Sequence, residues 1–150
     1  MVKKLLIIFL LLSFACQSEY FSRIPNMPVY LEVYLQGIDA KLMAQGNYEL
    51  FKKGSERLPV KERYGFGGIL IINGVDQFYA FDMACPYEAN PTITVTVSSD
   101  GLIAQCPNCK STFEIFNGTG APLSGPAQKN SYYLRRYSVN QTSEPLIVYQ

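Results

Sequence analysis

The chain has no histidine among its 150 residues, and this absence narrows the chemistry that it can perform. Without imidazole it can build neither an iron–sulfur centre with two histidine ligands nor a catalytic triad or proton shuttle that depends on histidine. Paired carboxylates of the kind that hydrolases use are not evident either. The glycine-rich segment 65–68 lacks the lysine and the following helix of a phosphate-binding loop. These absences favour a protein that is not an enzyme.

The first 15 residues predict a signal peptide. Lys3 and Lys4 precede the apolar run 5–12, and the small residue Ala15 stands directly before Cys16. The run is too short to span a bilayer, which needs about 20 apolar residues. Residues 12–16 (Leu-Ser-Phe-Ala-Cys) resemble a bacterial lipobox, and this resemblance implies cleavage before Cys16 and lipidation of its thiol. An ordinary signal peptide with an incidental cysteine is the alternative.

A lipid on Cys16 would anchor the mature protein to a membrane of the bacterial cell envelope, facing the periplasm or the cell surface. Removal of residues 1–15 leaves 11 lysines and arginines against 12 aspartates and glutamates, a net charge of −1. This balance, with no concentrated basic patch, excludes nucleic acid as a partner. Three cysteines then remain in an oxidising compartment, where thiols tend to pair.

Short alternating segments and turn dipeptides predict an all-β fold. We predict that residues 16–28 form a tether, because Pro25 and Pro28 prevent regular structure there, and that residues 29–150 form the folded domain. Apolar residues alternate over 29–35, which is typical of a strand with one buried face. Further strands are predicted at residues 68–72, 77–81, 92–97, 102–104, 112–116, 133–139 and 146–149. Asn73-Gly74 suits the positive φ of a tight hairpin turn. We therefore expect a sandwich or a barrel.

Two loops that each begin with Cys-Pro carry the other three cysteines. Cys85-Pro86-Tyr87 is followed, after 18 residues, by Cys106-Pro107-Asn108-Cys109. Proline fixes its own φ and restricts the residue before it, so each Cys-Pro step holds a sulfur rigidly. We expect the two loops to lie side by side and to grip something between them.

These loops and their surroundings resemble a Rieske [2Fe-2S] domain over residues 67–138. The family pattern is Cys-x-His on a first loop and Cys-x-x-His on a second. Residues 106–113 (Cys-Pro-Asn-Cys-Lys-Ser-Thr-Phe) stand where the family has Cys-Pro-x-His-Gly-Ser-x-Phe. The resemblance places Cys85 and Cys106 at the two cysteine ligands, Tyr87 at the first histidine and Cys109 at the second.

The same resemblance implies the fold and the cover of the site. It implies a Rieske-like antiparallel β sandwich with a small cluster-binding subdomain at about residues 82–127. It also implies that Pro122, Gly125 and Pro126 belong to the Gly/Pro-rich third loop, which covers the cluster in the family.

Several occupants of the site stay open. The leading hypothesis is a disulfide among Cys85, Cys106 and Cys109 with no cofactor, because the compartment and the thiol count favour pairing without any further ligand. Alternatively, the three thiolates and an oxygen of Tyr87 or Glu88 hold an atypical [2Fe-2S] cluster. Zinc is a further alternative, with the same oxygen donors or water as its fourth ligand. Cys106 and Cys109 also have the spacing of a thiol oxidoreductase, but a strand-like segment follows where that chemistry uses a helix.

The sequence thus predicts a lipid-anchored, non-enzymatic Rieske-like domain of the cell envelope, with a structural or partner-binding role toward another envelope protein. The first alternative is an electron carrier with an atypical iron–sulfur or zinc centre. The second alternative is a thiol oxidoreductase.

Overall fold

The computed structural model describes residues 20–54 and 62–150. The predicted signal peptide, the predicted lipidation site Cys16 and the first residues of the predicted tether lie outside these ranges. The described residues form eleven strands: β1 (Val29–Val33), β2 (Tyr48–Phe51), β3 (Arg63–Tyr64), β4 (Ile69–Asn73), β5 (Phe78–Asp82), β6 (Thr96–Val97), β7 (Ile103–Gln105), β8 (Thr112–Glu114), β9 (Pro122–Ser124), β10 (Arg136–Asn140) and β11 (Leu146–Tyr149). They also form a 3₁₀-helix (Ala40–Met43) and the α-helix α1 (Gly125–Lys129).

The strands form two antiparallel sheets. The larger sheet has the order β2-β4-β5-β10-β11-β1-β3, and the smaller has the order β6-β7-β8-β9. Together the sheets make a nearly closed barrel, so the all-β prediction is confirmed. The smaller sheet comes from residues 96–124 and forms the small subdomain. Across the part of the chain that the structure describes, no helix is long and apolar enough to cross a membrane.

Strand β4 separates two hydrophobic clusters. All four of its apolar residues, 69–72, are fully buried, because alternate side chains of a strand point to opposite faces and both faces of β4 are covered. Leu70 and Ile72 pack into a cluster that includes Phe113 of the smaller sheet. Ile69 and Ile71 pack into a second cluster with β1 and β11. An unbroken apolar run therefore fits this strand better than an alternating pattern would.

Strand β1 confirms the predicted alternation, since Val29, Leu31 and Val33 are buried. The hairpin between β4 and β5 is also confirmed, with Asn73 opposite Phe78. Its predicted turn is wrong in detail. The loop has four residues, 74–77, and neither residue of the Asn73-Gly74 pair has a positive φ.

The strand predicted at residues 92–97 is mostly interrupted. Only Thr96 and Val97 belong to β6, and Thr94 forms an isolated bridge with Ala84. Residues 93–95 pair with residues 83–85 instead, since the N–H of Cys85 donates to the carbonyl of Ile93 at 3.0 Å and the N–H of Val95 donates to the carbonyl of Met83 at 2.8 Å. The side-chain oxygen of Asn90 accepts a hydrogen bond from the backbone N–H of Thr92 at 2.9 Å, and such local bonds compete with strand pairing at the start of the segment.

Residues 20–28 have no helix or strand, and they lie against the domain. Ile24 is only 1% exposed, and its carbonyl accepts a hydrogen bond from Nε of Arg135 at 2.8 Å. The backbone N–H of Tyr133 donates to the carbonyl of Phe21 at 2.9 Å. The described part of the predicted tether is thus held on the surface of the barrel.

A buried carboxylate, Asp82, joins the end of β5 to the loop before β4. It accepts hydrogen bonds from the backbone N–H groups of Phe66 at 2.8 Å, Gly67 at 3.0 Å and Ala84 at 2.8 Å, and from the hydroxyl of Tyr137 at 2.5 Å. Burial raises the pKa of Asp82 above its ordinary value of 3.8, and the hydrogen bonds partly oppose this rise. The stability that this group contributes is therefore full below pH 3.8 and is lost as the pH rises through its folded-state pKa.

Replacement of the buried donor, Tyr137→Phe, should lower the free energy of unfolding by about 1–3 kcal/mol at neutral pH, because the buried carboxylate loses a hydrogen bond. The loss should shrink as the pH falls through the folded-state pKa of Asp82, since a protonated carboxyl depends less on that donor. Urea unfolding between about pH 4 and about pH 8 measures both effects. The control Tyr149→Phe, on an exposed tyrosine, should change stability by less than about 0.5 kcal/mol. A loss independent of pH would contradict the prediction.

Candidate metal centre

The two cysteine loops have the same backbone design. In cysteine loop 1 (residues 85–89) the N–H of Ala89 donates to the carbonyl of Cys85 at 2.9 Å. In cysteine loop 2 (residues 106–110) the N–H of Lys110 donates to the carbonyl of Cys106 at 3.1 Å. Ala89 and Lys110 both have left-handed backbone conformations, with φ of 50° and 62°. Each loop is therefore one closed turn that begins at a cysteine.

The thiols of the two first cysteines are buried beside backbone N–H groups of their own turns, those of Tyr87 and Glu88 in loop 1 and those of Asn108 and Cys109 in loop 2. Burial raises the pKa of both Cys85 and Cys106 above the ordinary thiol value, and the N–H groups lower it by less. A positive ion bound between the loops would supply the charge that these buried thiolates need.

Three thiols meet where the loops approach each other. The Sγ atoms of Cys85 and Cys109 are 3.7 Å apart, and all three Sγ atoms, including that of Cys106, lie within 4.8 Å of one another. Cys85 and Cys106 are fully buried and Cys109 is partly buried. Within residues 20–54 and 62–150, this is the one group of three or more histidine, cysteine or acidic side chains with metal-binding spacing.

The two predicted oxygen donors lie next to this group but outside it. The side chain of Tyr87 is exposed. Glu88 is half-buried, and its Oε1 accepts a hydrogen bond from Nδ2 of Asn108 at 2.7 Å. This bond connects the third residue after Cys85 to loop 2.

The predicted third loop is not a loop throughout. Pro122 lies in strand β9, which pairs with β8, and Gly125 and Pro126 begin helix α1. The sequence analysis missed both elements because β9 has three residues and α1 has five, too few to display a period.

Ser111 connects α1 to the thiols, and the sequence analysis did not identify it as a site residue. It is fully buried, and its Oγ accepts a hydrogen bond from the N–H of Ala127 at 3.0 Å and one from the thiol of Cys109 at 3.2 Å. A Cβ atom on Gly125 would lie 2.7 Å from the Ser111 Oγ, so the close approach requires glycine there. Its position two residues after Cys109, in the motif shared with the family, was the available signal.

The three cysteines are free thiols in the structure. A disulfide bond is about 2.05 Å long, whereas the sulfurs of Cys85 and Cys109 are 3.7 Å apart. The predicted disulfide is not present in this arrangement and stays a prediction.

The residues present do not fit a Rieske cluster. Its second iron takes two imidazole ligands, and the chain has no histidine. In that arrangement the ligands at the positions of Cys85 and Cys109 bind different irons, so a two-iron core would separate them, yet their sulfurs are 3.7 Å apart. A single tetrahedral ion with metal–sulfur bonds of about 2.3 Å holds its sulfurs about 3.8 Å apart. The separation of the Cys85 and Cys109 sulfurs therefore matches that of two ligands on one ion.

Comparison with solved structures shows the fold. The chain is similar to a chain of the complex of reduced oxygenase and oxidized ferredoxin in carbazole 1,9a-dioxygenase, with a TM-score of 0.51 and 20% identity over 81% of this chain and 93% of that chain. It is also similar to the ferredoxin of carbazole 1,9a-dioxygenase from Nocardioides aromaticivorans IC177, with a TM-score of 0.46 and 18% identity over 81% and 96% of the two chains. The first similarity establishes a Rieske-like fold and leaves the ligands undetermined. No protein-family model matches the chain, and no curated protein is similar to it in sequence.

The change Ser111→Ala should lower the free energy of unfolding by about 1–3 kcal/mol, because the N–H of Ala127 would lose its acceptor in a buried place. Chemical denaturation measures the change. The matched control is Ser138→Ala, on an exposed face of β10, which should stay within about 0.5 kcal/mol of the unchanged protein. Equal stability of the Ser111→Ala variant and the unchanged protein would contradict a structural link through Ser111.

Proposed function

We propose that the chain is a lipid-anchored, non-catalytic protein of the bacterial cell envelope in which three clustered thiols bind a single metal ion. The observation that carries the proposal is the sulfur spacing, with 3.7 Å between Cys85 and Cys109 and at most 4.8 Å within the group. This spacing fits one thiolate-bound ion and is too short for ligands on two irons.

Zinc at this position would have a structural role. Cys85 follows β5 of the larger sheet, whereas Cys106 and Cys109 follow β7 of the smaller sheet. An ion held by all three would cross-link the two sheets at one end of the barrel. Structural zinc sites are typically tetrahedral and rich in cysteine, and their binding energy contributes directly to folding. The stiffened loops would then offer a fixed surface to an envelope protein partner.

Iron at the same thiolates would make the protein an electron carrier, which is the second candidate function. The feature that favours it is the presence of backbone N–H groups beside the sulfurs of Cys85 and Cys106, where they lower the pKa of each thiol. Hydrogen bonds to sulfur are among the factors that set the reduction potential of iron–sulfur centres. The fold, which is similar to a chain of a complex that contains a ferredoxin, agrees with this role.

A thiol oxidoreductase fits the site less well than either metal-based function. That chemistry needs a thiol whose pKa is lowered, commonly at the start of a helix. Burial raises the pKa of Cys106, and loop 2 leads into strand β8.

An aromatic patch at the start of the described chain supports the membrane anchor. The patch consists of Tyr20, Phe21, Tyr132 and Tyr133. Tyr20 and Phe21 are 67% and 56% exposed, and their rings lie 5.3 Å from Tyr133 and 5.7 Å from Tyr132. Tyr20 is four positions after Cys16, so even a fully extended chain keeps the backbone of a lipidated Cys16 within about 14 Å of the backbone of Tyr20. Aromatic side chains favour the membrane–water interface.

The patch and the thiol site lie on connected parts of the surface. Arg23, three residues after Tyr20, donates a hydrogen bond from Nη1 to the carbonyl of Tyr87 in loop 1 at 2.9 Å. In the proposed orientation the metal site is therefore close to the membrane-facing end of the barrel, where it would meet a membrane protein partner.

The metal content of the mature protein tests the proposed function. We expect one equivalent of zinc or iron per chain and no acid-labile sulfide when the lipidated protein is extracted in detergent without oxygen. The change Cys106→Ser should abolish stoichiometric binding, because it removes a buried ligand. Two irons per chain with acid-labile sulfide would overturn the single-ion proposal. A metal-free chain whose non-reduced mass is lower by two hydrogens would instead establish the disulfide.

Labelling with a radioactive fatty acid tests the anchor. The unchanged protein should incorporate the label and sediment with membranes, whereas the Cys16→Ser variant should do neither, because it lacks the thiol that is lipidated. Membrane binding of an unlabelled unchanged protein would contradict the lipid anchor.

A further inference from the structure

We propose that Glu88 is the fourth ligand of the ion, so that three thiolates and one carboxylate complete a tetrahedron. This inference rests on the proposed function, because it assigns a residue of the same site. It also decides between Glu88 and Tyr87, the two oxygen donors that the sequence left open.

The equivalence of the two loops carries the inference. The third residue after the first cysteine is Glu88 in loop 1 and Cys109 in loop 2. Both are partly buried. Both are followed by a residue with positive φ that closes the turn. Glu88 therefore occupies the position in loop 1 that corresponds to the position of the thiol ligand Cys109 in loop 2.

Tyr87 occupies a position in loop 1 that differs from that of Glu88. It corresponds to Asn108, the second residue after the first cysteine, and the side chains of both are exposed. The thiol of Cys109 lies within 4.8 Å of the other two sulfurs, while its exposed neighbour Asn108 points its amide at Glu88. In loop 1 the Rieske spacing, with a ligand two residues after the first cysteine, is thus replaced by the spacing of three that loop 2 shares with the family.

The carboxylate of Glu88 is already held against loop 2. Its Oε1 accepts the hydrogen bond from Nδ2 of Asn108 at 2.7 Å. The Glu88 oxygens lie outside the group of three thiols in the structure, so ligation requires the side chain to rotate toward the sulfurs, and its second oxygen is then available to Asn108. Hydrogen bonds of this kind orient the ligands of many metal sites.

The donor set specifies the class of ion. Three thiolates and one carboxylate oxygen are a harder set than four thiolates, and oxygen donors disfavour Cu⁺. Zn²⁺ and Fe²⁺ accept such mixed sulfur and oxygen sites. The geometry therefore indicates a divalent ion of this class.

Cobalt titration of the full mature protein, reduced and free of metal, tests the assignment. Co²⁺ reports tetrahedral coordination through its visible bands and reports the number of thiolates through its sulfur-to-metal charge transfer, and competition with Zn²⁺ gives the zinc affinity. The variants are Glu88→Gln, which removes the anionic ligand, and Glu88→Cys, which supplies a fourth thiolate. The matched control is Tyr87→Phe, which removes only the competing oxygen donor in the same loop.

We expect the unchanged protein to bind one Co²⁺ tetrahedrally. Glu88→Gln should weaken zinc binding by at least about 10–100-fold. Glu88→Cys should keep the stoichiometry and raise the charge-transfer absorption by about a third, as four thiolates replace three. Tyr87→Phe should change neither quantity. Circular dichroism of the metal-free variants shows whether each one folds, and the two Glu88 variants are independent of each other.

The outcomes separate the two proposals. Normal zinc affinity in Glu88→Gln, unchanged charge transfer in a folded Glu88→Cys, or loss of binding in Tyr87→Phe overturns the role of Glu88 while the single-ion function stands. Failure of the unchanged protein to bind Co²⁺ or Zn²⁺ overturns the proposed function itself.

Discussion

The closed turn around each first cysteine is the constraint on which the site depends. Each turn is fixed by a carbonyl that accepts an N–H four residues later and by a residue in the left-handed conformation. The sulfurs of Cys85 and Cys106 also belong to the main hydrophobic cluster, beside Val95, Ala104 and Phe113. The convergence of the thiols therefore depends on the packing of the barrel, because the core holds the two turns in place.

The number of ions that the site between the two cysteine loops can hold depends on the position of the second ligand in each loop. In the Rieske pattern, the imidazoles reach a second iron beyond the iron that the cysteines bind. Here no imidazole is present, and loop 2 presents a thiol whose sulfur lies 3.7 Å from that of Cys85. Under the proposed function, this close pair of sulfurs would hold one ion in place of a two-iron core.

Features that depend on pattern could be predicted from the sequence, and features that depend on single side chains could not. The alternation of β1 and the apolar run of β4 identified strands because both reflect which faces of a sheet are buried. The strand predicted at 92–97 divides its pairing between residues 83–85 and β7, which its alternation could not show, and β9 and α1 are too short to show a period. The Cys-Pro spacing identified the thiols, but alignment with a Cys-x-His motif favoured Tyr87. Only the equal closure of the two turns shows that Glu88, not Tyr87, corresponds to Cys109.

The odd number of thiols connects the metal to the alternative of a disulfide. A disulfide uses two of the three and leaves one buried thiol without a bond, whereas a single ion uses all of them. Cys85 and Cys109 are already in contact at 3.7 Å, so these two would be the first to pair if the ion were lost in an oxidising compartment. A bound ion keeps the sulfurs as ligands at a separation of about 3.8 Å and so prevents the shorter covalent bond. Under the proposed function, the disulfide that thiol count and compartment favour would be the product of metal loss, and the anionic side chain of Glu88 would act against that loss by binding the ion.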